Sequence, residues 1–118
     1  MHYILREGCI LGGGILKIYD EVIKANVKSI VILTSLAAPY LIKIKGNIVN
    51  ISSVAGSRVK VPNFTDYTVS KASVNMFTVG SALEMASHGV RVNSISPGPV
   101  RTEIVQSGGI NTNIEDWK

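Results

Sequence analysis

Two short runs, "NIVNIS" (residues 47–52) and "VRVNSI" (residues 90–95), constrain the fold of this chain more than any other feature. Each is β-branched and nearly all apolar, which suits a strand buried on both faces, as in a parallel sheet. A helical pattern precedes each run. From about Ile18 to Lys45 the residues Ile23, Val27, Ile30, Leu33, Leu36, Ala37, Tyr40 and Leu41 return at three- and four-residue intervals, which is helix periodicity. Gly46 is a natural stop, and Pro39 is expected to kink or divide the helix. A second helix is expected from about Tyr67 to Ser87, with Thr65 or Asp66 as N-cap and His88–Gly89 as its end. Its small residues Ser70, Ala72, Ser73 and Ala82 suit close packing. The order helix, strand, helix, strand argues for an α/β fold with a parallel sheet. "SVAGSRVKVPNFTD" reads as a loop, and "SPGPV" must turn, because two prolines and a glycine cannot continue a ladder.

Ligands of such sheets bind beyond the carboxyl ends of the strands, which here are Ser52/Ser53 and Ser96/Pro97/Gly98. Composition narrows what they could bind. A chain of 118 residues, 46% hydrophobic and 17% charged, is one globular domain or part of one. Its net charge of +4 is scattered without basic runs or interleaved aromatics, which argues against a nucleic-acid groove. The lone Cys9 cannot form an internal disulfide and fits a reducing compartment such as the cytoplasm. One cysteine and two well-separated histidines, His2 and His88, cannot assemble a zinc site, so no metal is expected. Lys28, Lys43 and Lys45 interrupt the apolar stretches, and no membrane span is expected.

Two patterns suggest chemistry. Gly8, Gly12 and Gly14 fall in a G-x-x-x-G-x-G spacing, the kind of loop that lets backbone N–H groups approach a pyrophosphate. A flexible connector would explain it equally well. Tyr67 and Lys71 form a Tyr-x-x-x-Lys pair, which sets both side chains on one helix face, one turn apart. A cation beside a phenol favours its phenolate form and suits it to proton exchange; an ordinary surface contact would also account for the spacing.

Order separates these readings. "GNIVNISSVAG", "YTVSKAS" and "GVRVNSISPGPVRT" follow one another, each at the end of an expected element. In this the chain resembles the short-chain dehydrogenase/reductase family, and within it the 3-oxoacyl-[acyl-carrier-protein] reductase-like members, from about Ile18 to about Ile104. The resemblance implies a Rossmann-type doubly wound parallel sheet, of which these residues hold the helix-strand-helix-strand segment. They would form a single partial domain, with residues 1–17 as connector and 103–118 as a truncated substrate-loop region.

The resemblance also implies roles. Tyr67 matches the general acid/base, and Lys71 the residue that favours its ionisation and hydrogen-bonds the nicotinamide ribose of NAD or NADP. Only one of Ser52 and Ser53 can face the substrate; the family interval to Asn26 selects Ser53, which polarises the carbonyl. Asn26 matches the asparagine that helps anchor a water on the proton route to Lys71. Pro97, Gly98, Val100 and Thr102 match the turn that lines the nicotinamide. The implied partners are a small carbonyl or alcohol substrate and a second copy of the chain, paired through the two long helices. The family's phosphate loop lies far upstream of the serine strand, so the Gly8–Gly14 stretch falls in the connector, and "REGC" stands where the family carries Asn-Asn-Ala-Gly. The cofactor-binding half is therefore expected to lie outside these residues. The alternative reading is a catalytically inactive, self-associating fragment of such an enzyme.

Overall fold

The computed structural model describes residues 9–58 and 62–98. A left-handed Gly14 (φ 70°) opens helix α1, Ile15–Ile23, inside the stretch read from sequence as connector. The chain then widens into a π turn, Lys24–Lys28, and continues as α2, Ser29–Ile44. The expected division at Pro39 does not occur. Pro39 lies within α2 on its exposed side, and the irregularity falls instead around Asn26. Lys45, not Gly46, takes the left-handed cap (φ 50°), and Gly46 N–H closes back on the Leu41 carbonyl at 3.0 Å. A Cβ at Gly46 would meet Leu41 Cδ2 at 2.7 Å, so the Leu41 side chain would have to shift.

Strand β1, Asn47–Ile51, pairs in parallel with β2, Arg91–Ile95, in the register Asn47 to Arg91 through Ile51 to Ile95. Parallel neighbours need a crossover, and α3, Thr65–Met85, supplies it. Phe64 stands at its N-cap position, so Thr65 and Asp66 lie in the first turn and not at the cap as expected. A turn at Ala86–His88 and left-handed Gly89 (φ 74°) end the helix where the sequence placed its stop. Asp66, Ser70, Val74, Thr78, Ser81 and Met85 form its buried stripe, a spacing of about one turn that points one face at the sheet.

The apolar core is small: Met85, Val90 and Val92, with Ala38, Leu41, Ile48 and Ala82 packed around them. Polar residues continue the layer, tied together by hydrogen bonds. Asn50 Nδ2 donates to Thr78 Oγ1 at 3.0 Å, and that hydroxyl donates to the Val74 carbonyl at 2.8 Å. The strands are not buried on both faces. Strand alternation turns Asn50 and Ser52 inward and leaves Val49, Ile51 and Ile95 more than half exposed, with none of the described elements over that side. The run Ile15–Ile44 is 30 residues long with a mean hydropathy of 1.6 in its most apolar window, enough by length and composition alone to cross a membrane. The interrupting lysines therefore do not exclude a span in the way the sequence suggested.

Candidate active site

The carboxyl ends of β1 and β2 meet the first two turns of α3. Beyond the strands the parallel pairing continues: Ser52 N–H donates to the Ile95 carbonyl at 2.7 Å, and Val54 N–H to the Pro97 carbonyl at 3.2 Å. The "SSVAG" turn and the Pro-Gly turn are thereby held side by side.

Consecutive serines separate as the pleat requires. Ser52 is buried, and its hydroxyl donates to the Lys71 carbonyl at 3.2 Å, fastening the strand end to α3. Ser53 is partly exposed and caps the turn Val54–Gly56, its oxygen accepting from Ala55 N–H at 3.1 Å. A serine hydroxyl has one proton and two acceptor positions. Because Ala55 uses an acceptor position, the Ser53 proton stays free to donate to a carbonyl oxygen.

Lys71 is held from two sides. Its ammonium donates to the Ile51 carbonyl at 3.1 Å and stands 5.7 Å from the centroid of the half-buried Tyr67 ring. Burial pulls its pKa below the ordinary lysine value of 10.5, because desolvation disfavours the charged form. Two ammonium donors remain after the Ile51 bond, a set that fits the vicinal hydroxyls of a ribose. The turn reaches α3 this closely because of Gly56. A Cβ there would lie 2.9 Å from the Lys71 carbonyl carbon and oxygen, and 2.8 Å from Asn75 Nδ2.

Asn26 joins the site from the π turn, its amide donating to Ser70 Oγ at 3.1 Å. Ser70 in turn donates to the Tyr67 carbonyl at 2.7 Å. The structure thus draws Asn26, Ser53, Tyr67, Lys71 and Pro97 to one end of the sheet, with Gly98 exposed just beyond. Val100 and Thr102 lie outside the described residues. Sequence reasoning gave Ser70 only a packing role and missed Gly56. The signal for Ser70 was its place three residues after Tyr67, on the inward stripe of the same helix. Among the described residues no three His, Cys, Asp or Glu side chains gather as metal ligands.

Known proteins resemble this chain in sequence and in fold. The family described as short chain dehydrogenase matches residues 16–112. The oxidoreductase UcpA of Salmonella typhimurium is 41% identical over 98 residues, which cover 82% of this chain and 37% of that protein. The 3-oxoacyl-[acyl-carrier-protein] reductase FabG of Thermotoga maritima is 39% identical over 89 residues, covering 75% of this chain and 36% of the relative. A solved 4-hydroxyisoleucine dehydrogenase mutant, complexed with NADH and succinate, superposes with a TM-score of 0.76 at 32% identity, over 95% of this chain and 46% of that one. The chain spans less than half the length of each of these three proteins.

Proposed function

We propose, from the premise that this chain belongs to the short-chain dehydrogenase family, that its residues interconvert a small carbonyl compound and its alcohol with NAD or NADP. The observation that carries the reading is Lys71, fixed by Ile51 beside the Tyr67 ring at the sheet end where Ser53 keeps a free hydroxyl proton. A nicotinamide held here would supply or accept the hydride at the carbonyl carbon. In reduction, Tyr67 gives its phenolic proton to the carbonyl oxygen, and Ser53 donates a hydrogen bond to that same oxygen. Lys71, its ammonium 5.7 Å from the Tyr67 ring centroid, would offer its two free donors to the ribose. Asn26 anchors the proton route to Lys71 from the π turn. Pro97 and Gly98 would line the nicotinamide, and the family resemblance assigns Val100 and Thr102 to the same task. The buried, unpaired Cys9 suits a reducing compartment, and we place the protein in the cytoplasm.

A second reading, a non-catalytic self-associating chain, is favoured by one observation. Leu33, Leu36 and Tyr40 on α2, and Met76 and Leu83 on α3, are each about two-thirds exposed or more. We take these helices as the surfaces that pair with a second copy, facing protein and not lipid. Nicotinamide absorbance, followed with a panel of ketones and 3-oxoacyl thioesters alongside light scattering, separates the two. Turnover that requires Tyr67 supports the reductase. A stable oligomer without turnover on any substrate supports the second reading.

A further inference from the structure

Ser70 is fully buried, and its oxygen lies between two groups from distant parts of the chain. It accepts from Asn26 Nδ2 at 3.1 Å and donates to the Tyr67 carbonyl at 2.7 Å. Since a serine hydroxyl has a single proton, spent here within its own helix, the Asn26 amide can join only as a donor. The direction of the relay is fixed.

One partner lies in a local irregularity, and the other back-bonds within a regular helix. Asn26 is the middle residue of the π turn Lys24–Lys28, and such turns are rare and found mostly at functional sites. Serine back-bonding to a preceding carbonyl competes with the helix ladder and often bends it. The π turn and α3 meet at one hydrogen bond that spans 44 residues of sequence. A second relay of the same form, Asn50 to Thr78 to the Val74 carbonyl, ties β1 to α3 two turns further along. Two asparagine-to-hydroxyl relays thus fasten neighbouring elements to α3, and one of them falls on the turn that bears Tyr67 and Lys71.

We propose that Ser70 is a positioning residue whose hydroxyl latches the π turn, through Asn26, to the turn of α3 carrying Tyr67 and Lys71, and so fixes the placement of that pair. The inference deepens the reductase reading, since only that reading makes Tyr67 and Lys71 the reacting groups. Removing the hydroxyl leaves the Asn26 amide without its acceptor, and the π turn loses its reason to persist.

Nuclear magnetic resonance of the full 118-residue chain tests this without any turnover. Ser70→Ala should speed exchange of the Asn26 side-chain amide protons about tenfold or more and move the Lys71 Cε resonance. Ser81→Ala, at another buried serine of the same helix, should change neither. Ser70→Thr, which keeps the hydroxyl, should preserve the slow exchange. Should the added methyl unfold that variant, Asn26→Asp reports in its place: an ionised carboxylate cannot donate, so Ser70 must turn its proton away and the Tyr67 carbonyl resonance should shift. The proposal is overturned if Asn26 exchange in Ser70→Ala stays within about twofold of wild type, or if Ser81→Ala moves the Lys71 resonance equally. It is also overturned if neither Thr nor Asp behaves as stated. A Tyr67→Phe protein with undiminished turnover would refute the reductase reading and leave the latch result standing, so the two failures are distinguishable.

Discussion

Ser52 and Ser53 are the same residue type with opposite tasks, and the pleat assigns them. Ser52 spends its proton on the Lys71 carbonyl, whereas Ser53 spends only an acceptor position on Ala55. Ser53→Ala should therefore lower kcat more than Ser52→Ala. Ser52→Ala should instead lower stability by about 1 kcal/mol, the typical net worth of such a bond, which thermal unfolding reads directly. The reverse ranking of the two rates would reverse the assignment. Lys71 makes a prediction about pH. The unfolded chain holds the Lys71 proton up to about its ordinary value of 10.5, while the folded chain releases it at lower pH. Between those points the unfolded state binds more protons, so Lys71 adds stability as pH rises through that window. The melting temperature of wild type should gain on that of Lys71→Met as pH climbs toward 10.5, and a constant difference would contradict the shift. These residues were singled out in the sequence through the family resemblance, since the Tyr-x-x-x-Lys spacing alone fits an ordinary surface contact equally. Ser70 was not, because only the partner that a small helical serine meets in space distinguishes packing from latching.

At the level of elements, helix periodicity located both long helices, and the short β-branched runs located both strands. It could not locate the π turn, since one inserted residue shifts the phase of a stripe without removing an apolar position. Pro39 drew attention as the chemical helix breaker, yet it sits on an exposed side of α2 with its ring toward solvent, and the helix passes through it. Gly56 was equally silent in sequence, since its need is the closeness of another element's backbone. Gly56→Ala would press a methyl on the Lys71 carbonyl and the Asn75 amide. The expected cost is about 1–3 kcal/mol for overpacking, with reduced turnover as the Ser53 turn moves off α3. Chemical denaturation and kcat on the same preparation check both effects, and an unchanged midpoint would show that the contact relaxes freely.

Across the whole molecule, one face of the sheet packs on α3 while Val49, Ile51 and Ile95 face outward. Burial on both faces was expected from the apolar runs, and the runs alone could not reveal which neighbours supply the cover. The outward apolar residues of α2 and α3 should produce a concentration-dependent oligomer. Leu36→Glu, at a position two-thirds exposed, should shift light scattering toward monomer with little loss of secondary structure; an unchanged mass would remove α2 from the interface. The account as a whole rests on one proton donor, because the sheet ends, the serine turn and the latch all converge on Tyr67. The direct test is Tyr67→Phe, with carbonyl reduction followed by nicotinamide absorbance and cofactor affinity by calorimetry on the same protein. Turnover should fall by about a hundredfold or more while cofactor affinity remains close to wild type. A phenylalanine variant that keeps most of its kcat would contradict the account.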